Sequence, residues 1–339
     1  MNTVAERVIL AEGWRRRLIA FIVGALGALA MAPFDLFPAL FAPMVVGVWL
    51  LDGSAAATGV RPRALSLAAL RGAFGAGWWL GFGYFLAGLW WLGSAFLVEA
   101  DKFAWALPLG VVGLPIILAI FTGAGFALAR TVWRPGSGRV LIFAAALTAS
   151  EVARGLLFTG FPWNVWGMAL GGHLVLAQAG SLVGLYGLTL LAVAIFASPA
   201  TLADPIEGPP RRWTRAMTFA AAALVGLAAF GALRLSTGES AVVKGVKLRV
   251  VQPNLPQDAK FRPENKADIL RRYLALSDRA SSPRATGLAD VTHLVWPESA
   301  FPFILARDPQ ALAQVGAALP AGAVLITGAA RVEESSEMR

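Results

Sequence analysis

Residues 72–98 read GAFGAGWWLGFGYFLAGLWWLGSAFLV. The run holds no charged residue and exceeds the roughly 20 apolar residues that a helix needs to cross a bilayer. It is therefore read as a membrane span. With 57% hydrophobic and only 14% charged residues in 339 positions, an ordinary soluble domain is excluded. About seven apolar segments precede residue 235: Leu18 to Ala32, Leu36 to Leu51, Gly72 to Val98, Phe103 to Ala129, Val140 to Phe158, Leu174 to Ala197 and Ala216 to Leu235. The first two are short and meet at APFDLFP (32–38), which predicts a tight hairpin.

Basic residues set the expected orientation, because cytoplasmic loops carry the excess of Lys and Arg. Arg7, Arg15, Arg16 and Arg17 precede the first segment, and Arg61, Arg63 and Arg71 follow the second. Arg130, Arg134 and Arg139 follow the fourth, and Arg211, Arg212 and Arg215 follow the sixth. The opposite short loops, APFDLFP, VEADK (98–102) and TGFPWNVWGMALGGH (159–173), contribute Lys102 alone. The expectation is an N-terminus inside and, after seven crossings, everything beyond about Leu235 outside. The net charge of +9 then follows from topology, and no nucleic-acid partner is needed. A cleaved signal peptide is the rival reading of the N-terminus, since Arg15 to Arg17, an apolar run and Ala30-Met31-Ala32 imitate its three regions. Further spans follow at once, however, and the alternation of charge works only if the first helix stays.

There is no cysteine, so neither a disulfide nor a Cys-based metal site is available. His173 and His293 stand alone, without ligand spacing around either; no metal and no cofactor are expected.

After Leu235 the composition changes. VKLRVVQ (246–252) alternates and is rich in valine, as a strand would be. QPNLPQDAKFRPEN (252–265) is turn chemistry. PENKADILRRYLALSDRA (263–280) repeats apolar residues at helical spacing with proline at its start. HLVW (293–296) predicts a second strand, DPQALAQVGAAL (308–319) a second helix and AVLITGAA (323–330) a third strand. Such alternation belongs to an α/β layer fold, one that looks unfinished at VEESSEMR (332–339).

Four features bear on chemistry. Glu298, in LVWPESAFPF (294–303), ends a predicted strand, where open α/β sheets collect functional groups. Beside Trp296, Phe301 and Phe303 its carboxylate is expected to be desolvated, with a raised pKa suited to a general base; the bland alternative is a helix cap or a solvated loop acid. Glu151 and Arg154 lie three apart inside the fifth segment and share a helix face, as a structural ion pair or as groups facing a cavity. Trp78, Trp79, Trp90 and Trp91 suit interfacial belts, and Gly77 with Gly81 forms a GxxxG that admits another helix. Gly160, Phe161, Pro162 and Trp163 either cap two helices or form a lipid-facing floor.

Taken together, GFGYFLAGLWWLGSAF (81–96), TGFPWNVWG (159–167) followed by QAGSLVGLYGLTLL (178–191), VVQPNLPQDAKF (250–261), and LVWPESAFPF with LITGAA (325–330) resemble the bacterial apolipoprotein N-acyltransferase family. The resemblance covers about residues 18 to 330. It implies an α-helical polytopic bundle (1–235) in the inner membrane. The bundle carries a nitrilase-like α/β (αββα) domain on the periplasmic face, of which 236–339 would be an incomplete N-terminal part. It also implies transfer of an acyl chain from a phospholipid donor to a cysteine thiol, and then to the α-amino group of an apolipoprotein's diacylglyceryl-cysteine. The site uses a glutamate base, an oxyanion-stabilising lysine and a cysteine nucleophile. By motif Glu298 is that glutamate, and Trp163, Phe261 and Trp296 are candidate lipid or substrate contacts. Phe261 departs from a segment that often ends in tryptophan. The lysine and cysteine are not found in these residues, so the expectation is an N-terminal portion unable to acylate alone. A non-catalytic membrane protein whose outer segment binds lipid or a partner is the alternative. A transporter built on Glu151 and Arg154 is a third, but no internal repeat supports it.

Overall fold

The computed structural model describes residues 3–56, 66–204, 212–238, 242–256, 260, 262–280, 287–298 and 300–330. Two compact units emerge, Met1–Phe96 with Phe103–Gly238, and Leu97–Lys102 with Glu239–Arg339. Each is described by itself.

In the first unit the seven apolar segments each contain a helix. They are α1 (Gly13–Gly27), α2 (Phe41–Ala56), α3 (Leu67–Leu89), α4 (Leu114–Thr131), α5 (Arg139–Leu156), α6 (Gly180–Ala197) and α7 (Arg215–Thr237). By length and composition five stretches can cross a membrane: Phe37–Ser54, Leu67–Leu97, Ala100–Thr131, Gly180–Ala203 and Arg215–Thr237. The other two helices fall short of that standard for different reasons. The 15 residues of α1 reach about 22 Å at 1.5 Å per residue, less than a bilayer's apolar core. In α5 the length suffices, but Arg139, Glu151 and Arg154 lie within its 18 residues.

Several sequence features explain how the helices meet. At APFDLFP the chain reverses in a tight turn, with the amide of Asp35 donating to Met31 O (3.0 Å) and that of Leu36 to Leu29 O (2.9 Å). The GxxxG of α3 receives α4: a Cβ on Gly77 would lie 2.6 Å from the Phe126 ring, and one on Gly81 would lie 2.6 Å from Thr122 Oγ1. Side-chain oxygens of Ser66 and Thr214 cap α3 and α7 by accepting from the amides of Ala69 and Met217, the usual role of these residues at a helix start. A buried Arg139 at the start of α5 joins the end of α2 to the segment after α6. Its guanidinium bonds both Asp204 oxygens and lies 3.3 Å from Asp52 Oδ1, which also accepts from the Trp133 indole at 3.0 Å.

In the second unit strand and helix alternate, as the pattern of turns and apolar spacing predicts: β1 (Leu248–Val250), α8 (Lys266–Asp278), β2 (His293–Val295), α9 (Pro309–Ala318) and β3 (Val324–Ile326). All pairing is parallel, in the order β1-β2-β3, with Arg249 opposite Leu294 and Leu294 opposite Leu325. Successive strand residues face opposite sides. Leu294 is buried in the core with Ile269, Leu270 and Tyr273 of α8 and Ala311 and Val315 of α9. On the opposite face Leu248, Val250, Val324 and Ile326 are exposed. Parallel sheets ordinarily bury both faces, so the second face of this sheet is apolar but open.

Candidate functional site

The helical unit brings together three of the sequence stretches that stood apart in the chain. At its centre is the loop that follows α5. Phe158, Thr159 and Gly160 are consecutively left-handed, with φ of 54°, 74° and 80°, and Asn164 is so again at 52°. Only glycine adopts this region freely, and each other residue there costs of order 1–3 kcal/mol. Gly160 has a second reason to lack a side chain, because a Cβ would come 2.3 Å from the carbonyl oxygen of Gly155.

Glu151 and Arg154 hold this loop from below. Both side chains are buried, at 1% and 0% exposure, and the guanidinium meets the carboxylate through two bonds, Nε to Oε1 at 3.2 Å and Nη2 to Oε2 at 2.5 Å. The remaining Nη1 donates to the carbonyl of Trp163 at 2.8 Å and to that of Phe161. In return the amide of Phe161 donates to Arg154 O at 2.9 Å, and the ring of Phe85 lies under the guanidinium at 4.9 Å. Glu151 also takes a backbone bond from Trp166. A buried ion pair is stable only when its remaining donors and acceptors are satisfied, and here backbone carbonyls complete the set. The pair is thus neither isolated nor facing an open cavity.

From α3 the stretch GFGYFLAG holds the other side of the loop. Tyr84 donates its hydroxyl to Asn164 O at 2.9 Å and stacks on Trp166 at 3.8 Å, while Asn164 Nδ2 donates to Gly88 O at 3.3 Å. Trp91 stacks on Trp163 with centroids 5.2 Å apart and rings 17° from parallel. The third stretch, QAGSLVGLYGLTLL, contributes Thr189, whose hydroxyl accepts from the amide of Gly167 at 3.2 Å. Trp163 keeps 47% of its surface exposed and Phe158 keeps 89%. The result is a fixed backbone with aromatic side chains on its outside. Neither of the two sequence readings of GFPW anticipates the carbonyl acceptors, for which side-chain patterns give no signal.

In the second unit Glu298 lies three residues beyond β2, at the carboxyl end of the central strand. The expectation of a desolvated carboxylate is not met, because Glu298 is exposed. Its aromatic neighbours in sequence turn the other way. Trp296 is 3% exposed, donates its indole N–H to Ser277 Oγ at 2.9 Å, and packs on Tyr273 and Phe301 at 4.8 and 5.7 Å. A surface lipid contact through Trp296 is therefore corrected to a core position. Burial among these rings also pushes the Tyr273 phenol up. Lys260 Nζ lies 3.5 Å from the backbone oxygen of Glu298. Phe303 packs on Phe301 and takes the Lys266 ammonium over its ring at 4.7 Å. Lys266 also bonds Asp308 and so holds that carboxyl below its usual range. Phe261 lies outside the described residues.

The family model described as the apolipoprotein N-acyltransferase N-terminal domain matches residues 23–198. Among curated relatives, an apolipoprotein N-acyltransferase of Rhodopseudomonas palustris is 52% identical over 334 residues, covering 98% of this chain and 61% of the relative. That of Bradyrhizobium diazoefficiens is 52% identical over 336 residues, covering 98% and 60%. That of Agrobacterium fabrum is 42% identical over 339 residues, covering 100% and 62%. The chain thus spans about three fifths of the length of the curated relatives it matches.

Proposed function

The chain belongs to the apolipoprotein N-acyltransferase family, and from that premise we propose that the protein acylates lipoproteins at their N-terminal cysteine. The acyl donor is a membrane phospholipid, and the acceptor is the α-amino group of the diacylglyceryl-cysteine of an apolipoprotein. The observation that carries the reading to a residue is the exposed Glu298 at the carboxyl end of the central parallel strand, where open α/β sheets present their functional groups.

In this mechanism Glu298 takes the proton of a cysteine thiol, and the thiolate attacks the ester carbonyl carbon of the phospholipid. A lysine offsets the charge on the carbonyl oxygen as the tetrahedral intermediate forms. The ester C–O bond breaks and the lysophospholipid alcohol leaves with the proton, giving an acyl thioester. The amine of the acceptor then attacks the thioester, the C–S bond breaks, an amide forms and the thiol returns. Residues 1–339 contain no cysteine, so the nucleophile of this scheme is not one of them. Trp163, and Phe261 by sequence, are assigned to the acyl chains of the substrates. The outer unit is a nitrilase-like domain in this reading, supported by its parallel α/β alternation.

Lipoprotein N-termini emerge on the periplasmic side of the inner membrane, so the reading requires an N-terminus inside and the unit after Gly238 outside. A phosphatase or a green fluorescent reporter fused after Lys247 tests this. Active phosphatase and a dark fluorescent fusion are expected. A fluorescent, phosphatase-inactive pair would place the unit in the cytoplasm and overturn the proposal.

A further inference from the structure

The loop after α5 combines backbone strain with an excess of ties. Its run of left-handed residues, two of them non-glycine, persists only where the surroundings over-determine it. Arg154 supplies the most direct tie, through the carbonyls of Phe161 and Trp163. A buried guanidinium could instead serve as a cation for a lipid phosphate. The geometry excludes that role, since the side chain has no exposure and its Nε, Nη1 and Nη2 are all engaged by Glu151 and the loop. Arg154 acts on backbone, and Glu151 neutralises it.

We infer that Arg154, with Glu151 as its counter-ion, is a positioning residue that locks residues 157–164 into one backbone geometry. The exposed Phe158 and Trp163 are then presented to substrate acyl chains in a fixed arrangement. Only the nature of what meets the loop rests on the acyl-transfer reading; the locking does not. Lysine cannot replace arginine here, because one ammonium lacks the planar fork that reaches a carboxylate on one side and two carbonyls on the other.

The absence of cysteine from the chain makes the test clean. A nitroxide on Thr159→Cys is then the single label in the loop, and one on Thr131→Cys, at the exposed end of α4, is the control. Measured in the full 339-residue chain in detergent micelles without any acyl donor, the label at 159 should give an immobilised spectrum. Arg154→Lys, and the apolar pair Glu151→Leu with Arg154→Leu, should each lose that immobilised component while the spectrum at 131 stays unchanged. If the apolar pair fails to fold, the lysine variant carries the test. An immobilised 159 label in folded Arg154→Lys would overturn the inference. So would a label already mobile in the unsubstituted chain, or equal loosening at 131, which would mark the pair as a general support of the fold. Because no acyl donor is present, a failed transfer assay would count against the activity and leave the locking intact.

Discussion

Replacing Glu298 by glutamine should abolish formation of the acyl thioester in a protein of the relatives' full length. Loss of a general base removes about 10²–10⁴-fold in rate, and under the proposed mechanism it also removes the group that raises the thiolate fraction. The substitution leaves packing alone, because Glu298 is exposed while Trp296, Phe301 and Tyr273 form the adjacent core without it. Thermal stability should therefore be unchanged while transfer from a labelled phospholipid disappears. Unchanged thioester formation would remove Glu298 from the mechanism and leave it as a solvated loop acid.

The second large effect concerns stability in the helical unit. Arg154→Met leaves Glu151 buried without its partner, and Glu151→Leu strands the guanidinium. Breaking a buried pair from one side typically costs about 3–5 kcal/mol, enough to lower the unfolding temperature of the solubilised protein severely. Removing both charges together should recover most of the loss, since apolar groups of similar volume need no compensating charge. The double variant should then be folded yet loosened in the loop, because nothing replaces the donors to Phe161 and Trp163. Thermal unfolding of the two single variants and the double variant, compared as a cycle, checks this. A loss in the double variant equal to that in Arg154→Met, with little loss in Glu151→Leu, would show that the carbonyl bonds donated by Arg154, and not the unpaired charge, dominate.

Much of this arrangement can be read from residue order. Apolar runs find the helices because a span must be long and largely uncharged, and a helix forms in each of the seven, including the short α1 and the charge-bearing α5. The three-residue spacing of Glu151 and Arg154 finds a pair on one helix face, and the ion pair forms. The third and fourth partners of the arginine are backbone carbonyls, whose direction depends on left-handed dihedrals at Phe158 and Thr159, where propensity argues against them. No side-chain pattern encodes that. Trp296 was legible by a rule that its proximity to Glu298 obscured. Residues two apart on a strand share a face, so Trp296 follows the buried Leu294. Pro297 then ends the alternation, because it has no N–H for the ladder, and Glu298 turns outward instead of joining them.

The proposed activity adds an acyl chain to lipoprotein N-termini. The mass of the N-terminal lipopeptide of a lipoprotein tests it most directly, taken from cells whose sole source of the activity is a protein of the relatives' full length that includes residues 1–339. The expected product is a cysteine carrying its diacylglyceryl group and one further, amide-linked acyl chain. Lipopeptides with a free α-amino group and two acyl chains only, from cells whose membranes contain the protein, would contradict it.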